Sequence, residues 1–277
     1  MSRLLSIVTG VFGRACLIYK DRRVGMHAHA EPHVVIKISG ADFAYEVGGV
    51  VAACTRDTVV LVNALEAHAN RSIGKSHSII LALYLSPEWL VERHSSLLVG
   101  GKLFERHSPP VTAPLRQSAD RLAAEMLQVD RVRHNRLQFL VSEVALSVFD
   151  DCAGPSKDAE RILKLNDYRI RRAVSYMREH VDQPLGLADV ASKVGLSRSR
   201  FFDLFGACTG LSPKHYLDML RMETAIAGLS SSRRSIAEVA ANCGYSAHSH
   251  FTRFFVKQIG VTPSEYRRAA GLAVAPN

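Results

Sequence analysis

The sequence lacks the marks of several large protein classes. Its five cysteines are an odd number, they are scattered, and none forms a Cys-x-x-Cys pair. This argues against a disulfide framework and fits a reducing compartment. No apolar run reaches the ~18 residues that a membrane span needs, and Arg14 interrupts the mildly apolar stretch at 4–19, which no clear cleavage site follows. We therefore expect a soluble, cytoplasmic protein of bacterial type.

Catalytic signatures are also missing from the sequence. It contains no glycine-rich phosphate loop, no readable Ser/His/Asp set and no paired-carboxylate constellation. The single tryptophan, Trp89, is interpreted as a core or interface anchor. The sequence thus gives no catalytic residues, and we expect a protein that is not an enzyme.

The bulk composition favours a folded, basic protein with two domains. The chain has 277 residues, 47% of them hydrophobic, which is enough for packed cores. The formal net charge is +9. The charge is uneven, because residues 166–277 carry 15 Lys and Arg against 9 Asp and Glu, and residues 1–165 carry 20 against 17. The shorter, more basic segment is the better candidate for binding a polyanion.

The N-terminal half reads as strands followed by two helices. Short β-branched runs between turn signals predict strands at 34–38, 58–62 and 78–85, which is typical of a small all-β barrel or sandwich. A short helix is expected at 88–98. Two helices with apolar residues at helical spacing follow Pro110 and would form a hairpin around Asp130. The hairpin forms either a subunit interface or a cover for the barrel, and the sequence leaves both open.

Two stretches near the C-terminus repeat one pattern. Each has an alanine, a glycine four residues later, an aromatic-rich segment and a Gly-x-Ser/Thr-Pro-x-x-Tyr ending; the copies occupy residues 190–216 and 239–266. A close crossing of two helices needs a small residue, which Ala191 and Ala240 supply. The turn needs a residue that tolerates positive φ, which Gly195 and Gly244 supply. One copy would fit an ordinary helical hairpin, but two matching copies favour paired helix-turn-helix units.

Helix caps are expected at matching places in the two copies. Ser197 and Ser246 are candidate N-caps of the two second helices. Ser235 and Glu238 have the spacing of a capping box that opens the second unit. Pro213 suits the first turn of the helix that joins the two units. From residue 167 to residue 268 the sequence predicts helices and no strand.

Residues 167–268 resemble the DNA-binding domain of the AraC/XylS family of bacterial transcription regulators. The resemblance rests on three segments: Ser-Ile-Ala-Glu-Val-Ala-x3-Gly-Tyr from residue 235, Ser-His-Phe-Thr-Arg-Phe-Phe-x-Lys from residue 249, and Gly-x-Thr-Pro-x-x-Tyr-Arg from residue 260. It implies a seven-helix domain with two reading helices in successive major grooves of promoter DNA. The family most often implies activation through contact with RNA polymerase.

The resemblance places DNA-facing residues on both second helices. On the first they are Arg198, Ser199, Arg200, Phe202 and Asp203, and on the second they are His248, Ser249, His250, Thr252, Arg253 and Lys257. Arg253 suits the two acceptors of guanine, whereas Arg198, Arg200 and Lys257 suit phosphates.

Two of these positions depart from the family's usual residue types. Phe202 stands where a polar side chain is common, so it either contacts a thymine methyl group or packs. Asp203 replaces a commonly basic residue and would repel phosphate unless it accepts from cytosine. The base readout by the first helix is therefore open.

Histidines at 27, 29 and 33, followed by Gly40 and the distant His68, resemble the cupin pattern His-x-His-x3-Glu-x6-Gly. His33 stands in the place of the glutamate. Along an extended strand His27, His29 and His33 share one face. With His68 they could hold Zn²⁺, Ni²⁺ or Fe²⁺.

The second cupin motif is degenerate, because Asp57, Asn63 and Leu65 replace its Gly, Pro and Gly, and Pro32 is expected to bend the histidine strand. Three readings of the histidines stay open: a metal site, a metal-free effector pocket, and side chains that are only exposed or hydrogen-bonded. The family resemblance favours a non-catalytic sensor.

The sequence therefore predicts an α+β multidomain protein. Residues 1–110 form a cupin-like, effector-sensing β-barrel, 111–152 a helical hairpin and possible dimer interface, 153–165 a linker, and 166–277 an all-α domain with two helix-turn-helix units. We expect a homodimeric transcription regulator that responds to a small molecule or a metal. The alternative is a metal-dependent cupin enzyme fused to a DNA-binding module.

Overall fold

The computed structural model describes residues 2–29, 31–71, 76–86, 89–90, 103–128, 134–152, 167–209, 211–231 and 234–273. The N-terminal part is built from strands. In chain order these are β1 (Arg3–Gly10), β2 (Gly13–Lys20), β3 (His33–Gly40), β4 (Phe43–Val47), β5 (Val50–Cys54), β6 (Val59–Val62), β7 (His68–Arg71) and β8 (Ser78–Leu85).

Helices follow the strands along the chain. They are α1 (Ala113–Met126), α2 (His134–Cys152), α3 (Tyr168–Glu179), α4 (Leu187–Lys193), α5 (Arg198–Thr209), α6 (Pro213–Ser231), α7 (Ile236–Asn242), α8 (His248–Ile259) and α9 (Pro263–Ala273). The predicted α+β architecture is confirmed, with seven helices in the described C-terminal residues. No helix in the described ranges is long and apolar enough to span a bilayer.

The strands form two antiparallel sheets rather than the closed barrel that the cupin pattern predicts. One sheet has the order β1-β2-β8-β3-β6 and the other has the order β5-β4-β7. Strands β1 and β6 lie at opposite edges of the larger sheet, and the three strands of the smaller sheet pair among themselves. Because no strand of one sheet pairs with the other in the described part, the arrangement is an open sandwich.

The five-stranded sheet is buried on both faces. Along β3, Val34 and Ile36 point to a cluster that includes α1 and α2, while Val35 points to a second cluster. Along β8, Leu81 belongs to the first cluster and Ile80 to the second. A strand that is apolar on both faces reads as a continuous hydrophobic run, which explains why the sequence predicts β3, β6 and β8.

The β1–β2 hairpin was missed by the sequence analysis. Arg14 interrupts the apolar stretch at 4–19, yet the residue is only 7% exposed. Its guanidinium donates to Glu31 at 2.6 Å and lies 4.0 Å from the ring centroid of Tyr84. A buried charge is tolerated when it is paired and hydrogen-bonded, and the sequence does not show the partners.

The α1–α2 hairpin uses its apolar stripe to cover the large sheet. Leu122 on α1 and Leu140 and Val144 on α2 are buried in the cluster that includes Leu81 and Trp89. Phe139 lies off that stripe and is 63% exposed. Three predicted features lie outside the described residues: Asp130, the linker at 153–165 and most of the 88–98 helix. Trp89 is described, and it is a buried core residue.

The N-terminal and C-terminal parts share one hydrophobic cluster. Ile7 of β1 and Cys16 of β2 belong to the same cluster as Phe251, Phe255 and Tyr266. Helix α9 packs along β1. The C-terminal helical part is therefore docked on the open face of the large sheet.

Leu81→Ala tests the central position of the large sheet. Leu81 is fully buried, so the substitution should lower the free energy of unfolding by about 2–5 kcal/mol. The control is Val11→Ala, because Val11 is 76% exposed and its truncation should change stability by no more than about 0.5 kcal/mol. Urea denaturation followed by circular dichroism measures both, and equal losses would contradict a doubly buried sheet.

Candidate nucleic-acid interface and histidine cluster

The two repeated sequences fold into two similar helix-turn-helix units. Ala191 and Ala240 are 1% and 2% exposed. Gly195 and Gly244 have φ of 72° and 74°, as the sequence predicted. The turns close alike, because Leu196 N–H donates to Ala191 and Tyr245 N–H donates to Ala240, each at 3.0 Å.

The caps of the reading helices differ between the units. Ser197 Oγ accepts from Arg200 N–H at 3.3 Å, as expected. The expectation for Ser246 is wrong: Ala247 is the N-cap of α8, and no side chain caps it. The reason is turn length, since α5 begins three residues after its turn glycine and α8 begins four residues after its own.

The second unit opens on the predicted capping box. Ser235 N–H donates to Glu238 at 2.5 Å, and Glu238 N–H donates to Ser235 Oγ at 3.2 Å. Hydrogen bonds from the backbone N–H and the side chain of Ser235 to the carboxylate lower the pKa of Glu238. The box holds α7, the helix against which α8 is positioned.

Helices α5 and α8, the second helices of the two units, bury corresponding faces and expose corresponding faces. Phe201 and Phe205 on α5, and Phe251 and Phe255 on α8, are fully buried. The exposed predicted readers are Arg198, Ser199, Arg200 and Asp203 on α5, and His248, Ser249, His250, Arg253 and Lys257 on α8. Each helix thus presents a polar edge to solvent.

Two predicted readers are turned partly inward. Phe202 is half-buried, with its ring 5.7 Å from the Arg198 guanidinium and edge-on to Phe201 at 6.1 Å. Of the two alternatives for Phe202, contact with a thymine methyl group or packing within the protein, this geometry corresponds to packing. The Thr252 hydroxyl is buried and holds no hydrogen bond to the described residues.

The four histidines of the N-terminal part converge. One ring nitrogen from each of His27, His29 and His68 lies within 4.8 Å of the others. The ring of His33 lies 4.6 Å from the rings of both His29 and His68. The expected extended strand is wrong for residues 27–29, which form a loop joined to His68 by a single bridge, while His33 opens β3.

Hydrogen bonds prepare these rings to accept a ligand. Nδ1 of His27 bonds to Gly25 O, and Nδ1 of His68 bonds to Glu66 O, each at 2.8 Å. A protonated Nδ1 leaves Nε2 as the lone-pair nitrogen. Both nitrogens of His29 and Nδ1 of His33 are buried with no partner in the described residues. Buried polar atoms of this kind call for a ligand or a bound water.

Burial keeps the cluster uncharged. It lowers the pKa of His27 to about 4, with the charges of Lys20 and His215 acting in the same direction. It lowers the pKa of His29, His33 and His68 well below the usual range, and the neighbouring histidines add to the effect. Neutral imidazole is the form that binds metal ions.

The segment of the degenerate second cupin motif, at residues 57–65, still contains a turn with a left-handed residue. Leu65 has φ of 62°, the left-handed conformation that glycine would adopt there. Its N–H donates to His29 O at 2.8 Å, which ties the turn to the histidine loop. The Asn63 side chain donates to Phe104 O at 3.0 Å and accepts from Phe104 N–H at 2.7 Å.

Two small cavities adjoin the histidines. One, of about 30 Å³, is lined by residues that include His33, His68, Lys20 and Tyr84. The other, of about 20 Å³, lies between the histidine loop and α6. Sequence analysis missed Lys20, Tyr84 and the α6 residues. Tyr84 pairs in register with His33 across the sheet and stacks on its ring.

Residues 190–269 match a family model described as a helix-turn-helix domain. The arabinose operon regulatory protein of Escherichia coli is 37% identical over 102 residues, which are 36% of this chain and 35% of that protein. The MmsAB operon regulatory protein of Pseudomonas aeruginosa is 37% identical over 94 residues, which are 34% of this chain and 31% of that protein. The chain thus spans about a third of the length of these relatives.

Fold similarity extends over the whole chain. Apo ToxT from Vibrio cholerae superposes with a TM-score of 0.52 and 13% identity, covering 92% of this chain and 97% of that chain. ToxT bound to an unsaturated fatty acid superposes with a TM-score of 0.51, also at 13% identity, covering 96% and 94%. At these identities the likeness concerns the fold alone.

The two turn glycines form a matched pair for mutation. Alanine at either position must adopt positive φ, which costs about 1–2 kcal/mol. A Cβ on Gly195 would meet nothing within 4 Å, whereas a Cβ on Gly244 would lie 2.5 Å from Gln183 O. Gly244→Ala should therefore destabilise the protein by about 1–3 kcal/mol more than Gly195→Ala. Chemical denaturation measures the difference, and equal effects would contradict the close approach at Gly244.

Proposed function

We propose that this chain uses its AraC-type helix-turn-helix domain, at residues 190–269, to bind promoter DNA and regulate transcription in response to an effector held by its N-terminal part. The observation that carries the proposal is the pair of matching units, each with a buried aromatic face and a solvent-exposed polar face on its second helix. Two such helices suit two major-groove sites on one duplex.

The charges on α5 and α8 support roles in DNA binding. Exposed Arg198 and Arg200 stand in the first turn of α5, where they can reach phosphates. Exposed Arg253 stands in the middle of α8, where its two donors can meet N7 and O6 of guanine. Asp203 is exposed as well. Its carboxylate would accept a hydrogen bond from the N4 amino group of cytosine.

For the effector we propose a divalent transition metal, Zn²⁺, Ni²⁺ or Fe²⁺. The support is the set of uncharged imidazoles of His27, His29, His33 and His68. Hydrogen bonds at Nδ1 fix the tautomers of His27 and His68, and His29 and His33 carry unpartnered buried nitrogens. Metal–nitrogen bonds of about 2.0–2.1 Å place tetrahedral ligand nitrogens about 3.4 Å apart, so the present spacing within 4.8 Å needs only a small contraction. Cavities of about 20 and 30 Å³ hold an ion or a water more readily than an organic molecule.

An organic anion is the second candidate effector. ToxT, which shares the fold, has been solved with an unsaturated fatty acid, and Arg14 lines the cavity between the histidine loop and α6. This candidate requires that cavity to open. A metal-dependent cupin enzyme has less support, because the relatives with matching helix-turn-helix domains are named as regulators of operons.

The proposal includes a homodimer that contacts RNA polymerase. Exposed Phe139 on α2 and Leu127 at the end of α1 are apolar side chains that a subunit interface could cover. An effector would act by binding more tightly to one arrangement of the two parts than to another, since only differential affinity shifts a population.

Arg253→Ala tests the reading role of α8. The substitution should cost about 1–3 kcal/mol of binding to the preferred duplex and relax the preference at one base pair. The measurement is selection of duplexes from a random library by the wild type, followed by titration of both proteins on single-base variants. An unchanged preference would refute the reading role.

Lys257→Ala and Arg56→Ala are the controls for Arg253→Ala. Lys257→Ala should weaken binding to all duplexes alike. It should also reduce the dependence of log affinity on log salt concentration by about 1 in slope. Arg56 lies in the N-terminal part, and its replacement should leave the preference unchanged.

The double variant His27→Ala/His29→Ala tests the metal site. Elemental analysis should find about one metal per chain in the wild type and none in the variant, because at least two ligands are removed. The control is His248→Ala/His250→Ala, which removes two exposed histidines from α8 and should leave the metal in place. Equal metal content in all three proteins would refute the site and direct the search to organic effectors.

A further inference from the structure

The cavity beside the histidines has walls from both parts of the chain. His27, His29 and Arg14 line one side, and His215, Asp218 and other residues of α6 line the other. Helix α6 is the segment that joins the two helix-turn-helix units. A ligand in the histidine cluster therefore faces the DNA-binding domain directly.

His215 is the α6 side chain best placed to respond to that ligand. Asp218, one turn later, is already paired with Lys214 at 2.9 Å. The His215 backbone is anchored, because its N–H donates to Ser212 Oγ at 3.3 Å in the first turn of α6. Its ring nitrogens have no hydrogen-bond partner within the described ranges, so the imidazole is available to the cavity.

The reading helix α8 touches the same loop from another side. A methyl group on Gly25 would lie 3.3 Å from Cε of Lys257, and Gly25 O accepts from Nδ1 of His27. Gln258 and Ile259, the next residues of α8, line both cavities that adjoin the histidines. The loop that carries His27 is thus held between the sensor sheet and the second reading helix.

We propose that the metal site spans the domain boundary, with His27, His29 and His68 binding the ion from the N-terminal part and His215 binding it from α6 through one water. The inference rests on the proposed metal effector. The cavity of about 20 Å³ has room for a single water. An ion bound in this way fastens the DNA-binding domain to the sensor, so metal binding and DNA binding influence each other by the same factor.

The test measures metal affinity of the full chain with and without the His215 ring. Zn²⁺ affinity is determined by competition with a chromophoric chelator, and Co²⁺ absorption reports on the coordination sphere. His215→Ala should weaken binding by about 10-fold or more and shift the Co²⁺ spectrum. His215→Gln, which can still hold a water, should recover part of the affinity. The control His180→Ala removes a half-buried histidine of the same domain that lines neither cavity and should change neither readout.

The outcomes separate this inference from the proposals on which it rests. Wild-type affinity and spectrum in His215→Ala would overturn the bridging role while leaving the N-terminal metal site in place. Absence of metal binding in the wild type would overturn both the site and the bridge, whereas duplex selection by the metal-free protein tests DNA recognition separately. If the bridge exists, the factor by which Zn²⁺ changes affinity for the selected duplex should move towards 1 in His215→Ala.

Discussion

Burial of the five-stranded sheet on both faces is the constraint on which the rest of the molecule depends. The residues of β3 and β8 alternate between two apolar clusters, so each face must be covered. The α1–α2 hairpin covers one face. The small sheet and the C-terminal helices together cover the other, since Phe251, Phe255 and Tyr266 share a buried cluster with Ile7 of β1. Separating the two parts would expose apolar surface on each.

This shared core gives the histidine cluster its functional setting. The rings of His27, His29, His33 and His68 lie at the edge of the covered face, next to α6 and the end of α8. A neutral, partly unpartnered imidazole set is costly to bury without a ligand. The cluster lies between the large sheet and the C-terminal helices, so a ligand bound there would contact α6 and the end of α8.

Much of the C-terminal domain could be predicted because its determinants are local. A small residue at the crossing, a turn glycine and a capping box act within a few residues, so Ala240, Gly244 and Ser235 behave as their sequence spacing indicates. Ser246 failed as a cap because the second turn is one residue longer, a difference that composition does not reveal. The burial of Arg14 in β2 could not be predicted, since its partners Glu31 and Tyr84 are supplied by other parts of the chain.

The sequence by itself determined the two helix-turn-helix units, the likeness of their reading faces and the candidate histidines, because helical periodicity, turn chemistry and ligand type are written in neighbouring residues. Only the tertiary structure decided that the strands form an open sandwich, that the histidine loop brings four rings together without an extended strand, and that His215 of α6 faces them across a cavity. These features depend on contacts between segments that are distant in the sequence, such as those that bring His27 near His68 and near His215, and pattern and propensity cannot specify such contacts.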